Sequence, residues 1–156
     1  SILKPINGFG GQGIYKLKPD DSNLNVILES STLNGTAYCI SQELIPEATI
    51  GDKRILLLNG EVLGAVLRVH GKEDHRNNLF AGGHTEASTL TTEDRDIVKT
   101  LSPFLNELGL FFVGIDVIGG KLIEVNVTSP TCLQELIQHD NTPYHLQVIE
   151  ALENLV

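Results

Sequence analysis

Apolar and polar positions along the chain follow two rhythms, one of period two and one near 3.6, and their order predicts hairpins interleaved with helices. Residues 2–6 read as a strand, and Ile14 to Leu17 as a second one across the glycine-rich run Asn7 to Gly13. A polar cluster from Asp20 to Asn25 precedes a short helix expected over Val26 to Leu33, and Ala37 to Ile45 has strand character up to Pro46. Arg54 to Leu58 and Glu61 to Val69 flank Asn59-Gly60, a strong hairpin signal. Residues 70–90 carry little periodicity and read as one long loop. Thr91 followed by Asp94 resembles a capping box. From there Ile97, Val98, Leu101, Phe104, Leu105 and Leu108 recur at helical spacing until Gly109. Two β-rich runs between Val113 and Val127 fold back at Gly119-Gly120. The turn Thr128 to Thr131, a short helix near Leu133 to Gln138 and a terminal helix from near Pro143 complete the chain. No regular βαβ alternation emerges, so the expected class is α+β.

Composition narrows the picture. With 156 residues and 41% hydrophobic content the chain can bury one core, so a single unit over 1–156 is expected. A formal charge of −9 and a pI near 4.9 lack the basic stripe that nucleic acid requires. No apolar run is long enough for a membrane helix and no signal peptide is visible, so the reading is a soluble, cytoplasmic protein. Cys39 and Cys132 are too few for a disulfide framework and are expected as reduced thiols. Ser1 leads directly into a strand and the chain contains no Met, which suggests a piece of a longer protein.

The candidate chemistry centres on Asp116, Glu124 and Asn126, three hard oxygen donors on paired strands and hence a Mg²⁺ site if they share one face. A plain two-residue Gly-Gly turn would pair Asp116 with Ile123 and send Glu124 to the other face. A loop of odd length, such as three residues with a bulge, is therefore expected; it would also stack Val113, Ile115 and Val117 with Ile123, Val125 and Val127. The alternative is a half-exposed hairpin whose polar face meets water. Arg54 and Arg68 raise the same parity question about Asn59-Gly60. If they share a face, they could join Arg76, Asn78 and His84 in holding an anionic substrate or a transferring phosphoryl group.

Gly8-x-Gly10-x-x-Gly13 matches the dinucleotide fingerprint by letter, but a strand rather than a helix is expected after it, which disfavours a Rossmann reading. Such a loop serves either as a tight turn or as a flap whose backbone N–H groups meet phosphates, with Lys4 adding a point charge. No Walker A motif, Ser-His-Asp set or Cys-His pair can be read. His70, His75, His139 and His145 lack metal-ligand spacing, and Cys132 reads as a small buried residue.

Leu3-Lys-Pro-Ile-Asn-Gly-Phe-Gly-Gly, Gly51-Asp-Lys-Arg-Ile, Asn78-Leu-Phe-Ala-Gly-Gly83, Val113-Gly-Ile-Asp116 and Ile123-Glu-Val-Asn-Val-Thr-Ser-Pro-Thr131 together resemble the carboxy-terminal half of bacterial glutathione synthetases, which are ATP-grasp ligases. The resemblance runs along essentially the whole chain. It implies an ATP-grasp fold of antiparallel sheets with flanking helices, and a reaction that joins γ-glutamylcysteine to glycine through an ATP-derived acyl phosphate. By that resemblance Asp116, Glu124 and Asn126 would hold Mg²⁺, or Mn²⁺ in its place. Lys4 with Gly10 and Gly11 would cover the ATP phosphates, and Gln42, Glu43 and Leu44 would meet adenine. Arg54 and Arg68 would face the phosphoryl group and substrate carboxylate, while Arg76 and Asn78 would belong to a mobile lid. His84 and Asn77 depart from the expected Arg and Gly, and the family's amino-terminal substrate domain and upstream ATP-contacting Lys have no counterpart in these residues. A homo-oligomer of the full-length protein is compatible with the family. Two further readings stay open: a related ligase with another amine substrate, and a non-catalytic nucleotide-binding module.

Overall fold

The computed structural model describes residues 1–8, 10–71 and 82–155. Strands β1 (Ile2–Pro5), β2 (Tyr15–Lys16) and β3 (Cys39–Gln42) form a small antiparallel sheet in the order β2-β1-β3, with helix α1 (Leu24–Ser31) between β2 and β3 in sequence. The strand expected over 37–45 is shorter because its partner β1 offers only four residues, Cys39 lying opposite Pro5. A 3₁₀ turn at Pro46–Thr49 leads into the main sheet.

That sheet consists of β4 (Asp52–Leu58), β5 (Glu61–Val69), β6 (His84–Ser88), β7 (Phe112–Ile118) and β8 (Lys121–Asn126), all antiparallel in the order β6-β5-β4-β7-β8. β6 corrects the reading of residues 70–90 as loop throughout, since His84 to Ser88 pairs with Val69 to Ala65. The segment His-Thr-Glu-Ala-Ser has almost no apolar alternation because it is an edge strand, and its pairing comes from the backbone.

Alternation along β4 divides the core. Ile55 and Leu57, with Ala65, Val113, Ile115 and Val117, face helix α2 (Thr92–Glu107), which contributes Val98 and Leu105. The expected capping box is present: Asp94 N–H donates to Thr91 Oγ1 at 3.2 Å and Thr91 N–H to Asp94 Oδ2 at 2.9 Å. Lys53 points to this face too, where it pairs with the same Asp94 and donates to Thr89 O at 2.9 Å. On the opposite face Leu56 and Val66 meet Cys132 and Leu136, with Leu133 and Tyr144 packed against them. Helix α3 (Leu133–Asp140) thus covers one half of that face, with α4 (Tyr144–Glu153) beyond it. The other half is left to the site. Among the described residues no helix is long and apolar enough to cross a membrane.

Candidate active site

Both central hairpins solve the parity problem by the same means. The β7–β8 turn is the two-residue Gly119-Gly120, with both φ angles positive, and Ile118 pairs with Lys121 and Val117 with Leu122. Asp116 then pairs with Glu124, so Ile123 is a bulge residue and the ladder continues with Ile115 opposite Val125 and Gly114 opposite Asn126. The expected odd-length loop is therefore corrected: the turn is even and the bulge inside the strand supplies the extra residue. The expected stacking changes with it. Ile123 lines the cavity on the site face, and Val125 on this edge strand and Val127 just past its end remain substantially exposed. In the β4–β5 hairpin, Leu58 pairs with Glu61 across Asn59-Gly60 and Leu57 with Val62, after which Leu56 pairs with Gly64 and Leu63 is the extra residue. Arg54 and Arg68 consequently share a face.

Three successive rows of the sheet carry the polar groups. Arg68 and Asp52 form one, Arg54, Asp116 and Glu124 the next, and Gly114 with Asn126 the third. The Arg54 guanidinium is forked on Asp116, through Nε to Oδ1 and through Nη2 to Oδ2 at 2.9 Å. Arg68 Nη2 reaches the same Oδ2 at 2.8 Å, and Arg68 is itself forked on Asp52, with Nε on Oδ1 at 2.8 Å and Nη2 on Oδ2. Asn126 Nδ2 lies 3.5 Å from Asp116 Oδ2. Arg54 Nη1 extends to Thr131 at 3.3 Å from Oγ1, which ties the turn after β8 to the sheet. Arg54, Arg68 and Asp116 are each no more than 5% exposed.

These contacts set the ionisation. Burial would raise the Asp116 carboxyl, but the hydrogen bonds and charges of Arg54 and Arg68 outweigh it and hold the group below the usual carboxylate range. For Asp52 burial prevails, aided by the negative Asp116, and its carboxyl is pushed up despite Arg68. Arg68 resists its own burial because Asp52 and Asp116 both favour its cation. Glu124 is raised by burial first and by Asp116 second, against the opposing charges of Lys4, Arg54 and Arg68. Among the described residues Glu124 has no hydrogen-bonded side-chain partner.

The rows floor a cavity of about 800 Å³. The β1–β2 hairpin borders it through Lys4, Gly8, Gly10 and Gly11, the last two with positive φ, and Gln42, Glu43 and Leu44 border it where β3 ends. Arg54, Arg68, Asp116, Glu124 and Asn126 line it from the main sheet. Its volume is ample for a nucleotide. The glycine loop is followed by strand β2, which excludes the Rossmann arrangement. Arg76 and Asn78, with Asn77, lie outside the described residues. His84 is exposed at the start of β6 and contacts Glu86 at 3.2 Å.

An all-oxygen donor set of two carboxylates and an amide on one face suits a hard cation such as Mg²⁺. No group of three His, Cys, Asp or Glu side chains converges in that way among the described residues, so the third donor would be the Asn126 amide. Cys132 is buried as expected, its thiol pushed up by burial, and it begins α3 in the left-handed region at φ 81°.

Sequence reasoning passed over Asp52, Gly64 and Gly114. Asp52 was legible by period, since a residue two before Arg54 shares its face. The two glycines stand mid-strand, a signal of close approach. A Cβ on Gly114 would lie 2.8 Å from Pro130 Cβ and 3.1 Å from Arg54 Cδ, and one on Gly64 2.8 Å from Leu136 Cδ1.

A family model described as the ATP-grasp domain of prokaryotic glutathione synthetase matches residues 1–141. Glutathione synthetase of Synechococcus elongatus is 49% identical over 156 residues, covering 100% of this chain and 48% of the relative, and that of Shewanella oneidensis is 50% identical over 136 residues, covering 86% and 43%. The chain thus spans about half the length of these relatives. Among solved structures, D-cycloserine synthetase DcsG superposes with a TM-score of 0.74 at 13% identity, over 99% of this chain and 55% of that one. D-alanine–D-alanine ligase from Bacillus anthracis gives 0.63 at 17%, over 97% and 52%. At such identities the likeness concerns the fold, which is ATP-grasp.

Proposed function

Because the chain belongs to the ATP-grasp domain family of prokaryotic glutathione synthetase, we propose that it supplies the ATP-binding and phosphoryl-transfer face of a ligase that joins γ-glutamylcysteine to glycine. ATP would phosphorylate the dipeptide carboxylate, releasing ADP, and the glycine amine would displace phosphate from the acyl phosphate to form the amide. The observation that carries this reading is the single-face placement of Asp116, Glu124 and Asn126 beside Arg54 and Arg68, beneath the glycine hairpin with Lys4.

Asp116, Glu124 and Asn126 would hold Mg²⁺, or Mn²⁺ in its place. The bound cation would neutralise charge on the ATP phosphates as the γ-phosphoryl moves. Lys4 supplies a positive charge at the cavity wall, and the backbone at Gly10 and Gly11 lets the hairpin approach the phosphates closely. Gln42, Glu43 and Leu44 offer backbone groups and apolar surface to adenine. Arg54 and Arg68, fixed by their carboxylates and shielded from water, stabilise charge on the transferring phosphoryl group and the substrate carboxylate. Arg76 and Asn78, which lie outside the described residues, would serve the reaction as the resemblance implies.

The test is phosphate release by the full-length protein with ATP, Mg²⁺, γ-glutamylcysteine and glycine. Release that depends on both the dipeptide and glycine supports the reading. Release with another amino acid but not with glycine would reassign the amine. Mg²⁺·ATP binding without release under any of these conditions would leave a nucleotide-binding module and refute the ligase.

A further inference from the structure

The cluster at the centre of the main sheet contains one carboxylate more than a three-donor cation site needs. Asp116 has no oxygen clear of a guanidinium: Oδ1 accepts from Arg54 Nε, and Oδ2 accepts from Arg54 Nη2 at 2.9 Å and Arg68 Nη2 at 2.8 Å. For Asp116 to take a cation, at least one of these bonds must be released. Among the described residues, Arg54 has no other hydrogen-bonding partner to fall back on than Thr131, at 3.3 and 3.5 Å. Arg68 differs, because its fork already rests on Asp52 through two bonds and touches Asp116 through one. We infer that Asp52 is a positioning residue: it anchors Arg68 on the site face and limits that guanidinium's hold on Asp116, leaving Asp116 able to turn to a divalent cation.

This rests on the proposed reading of the cavity as a nucleotide and cation site. Physically, a buried guanidinium that loses one carboxylate seeks the nearest other. Without Asp52, Arg68 would transfer its fork to Asp116, which Arg54 already forks, and the cation would compete with two bidentate partners instead of one. Asp52 is only partly buried and faces the same cavity, where it acts through Arg68 without holding the cation itself.

The experiment measures ADP affinity in EDTA and Mg²⁺ affinity at saturating ADP by calorimetry, for the wild type, Asp52→Asn and Asp52→Glu. Asp52→Asn is expected to weaken Mg²⁺ at least tenfold while changing metal-free ADP binding less than about twofold, and Asp52→Glu is expected to restore Mg²⁺ affinity. Mg²⁺ affinity within twofold of wild type in Asp52→Asn overturns the inference, as does a parallel loss of ADP and Mg²⁺, which marks general distortion. A wild-type protein that binds neither ADP nor Mg²⁺·ADP overturns the parent reading as well. Should Asp52→Asn not fold, the ¹⁵Nε–H resonances of wild-type Arg54 and Arg68 decide. Addition of Mg²⁺ and ADP should shift Arg54 strongly and leave Arg68 Nε, bonded to Asp52, nearly in place; equal movement of the two refutes the anchor.

Discussion

Replacing Asp116 by Ala removes the shared partner of two buried cations, and the cost can be worked from their remaining contacts. Arg68 keeps both bonds to Asp52 and loses one. Arg54 loses its whole fork and, among the described residues, keeps as hydrogen-bond partner Thr131 at 3.3 Å or more, beside the more distant charges of Asp52 and Glu124, while it is 4% exposed. Stranding one member of a buried ion pair costs about 3–5 kcal/mol, so the loss should fall in that range and be carried by Arg54. That is a large share of the roughly 5–15 kcal/mol by which domains are stable. Asp116→Asn keeps an acceptor but no charge and should lose less, on the order of the 1.5–3 kcal/mol of a hydrogen bond to a charged group. Urea denaturation at neutral pH, with the slope checked for constancy, measures both. The paired change Arg54→Leu with Asp116→Leu removes the stranded cation and should recover about 2 kcal/mol or more relative to Asp116→Ala, because apolar replacement of a buried pair is often neutral. If Asp116→Ala costs under about 1 kcal/mol, or the double change costs as much as the two singles added, the cluster does not hold the sheet as described.

Two other outcomes follow from the site. Burial, then the charge of Asp116, raise the Glu124 carboxyl, so cation affinity at saturating ADP should start to fall at a higher pH than the ordinary glutamate value of about 4.3 would give. Over the same window the cation-free fold should gain stability as pH falls through the raised value, because the protonated form is favoured there. Calorimetric Mg²⁺ titrations and urea melts of wild type against Glu124→Gln check this: both trends should shrink by the share of Glu124, while the contributions of Asp52 and Asp116 stay. Gly114→Ala should cost about 1–3 kcal/mol by urea melt and weaken ADP binding, because the new Cβ meets a proline ring and the Arg54 stem. Gly64→Ala, which meets the fully buried Leu136 away from the cavity, should cost a similar amount but leave ADP binding unchanged, and an equal loss of ADP binding would contradict the packing given for the Pro130 turn.

The sequence made the turns, the capped helix α2 and the two central hairpins legible, because Asn59-Gly60, Gly119-Gly120 and Thr91 with Asp94 act locally. It also brought the proposed cation donors Asp116, Glu124 and Asn126 and the two arginines into question as sets sharing a face. It did not reveal how that sharing arises, because a bulge has no composition of its own: Leu63 and Ile123 look like any strand residues. β6 escaped for a related reason, since an edge strand needs no apolar alternation to pair. Asp52 was visible in the block Gly51-Asp-Lys-Arg-Ile but acquired a role only when the antiparallel register set it opposite Arg68.

The paired bulges also make the hairpin tips replaceable parts. Since Leu63 and Ile123 correct the phase between tip and polar row, a two-residue connector at 59–60 or 119–120 that accepts the positive φ angles there leaves Arg68 and Glu124 facing as they do. Evolution or a designer can therefore exchange those tips in pairs of residues, while adding or removing a single one would turn half of the charged face inside out.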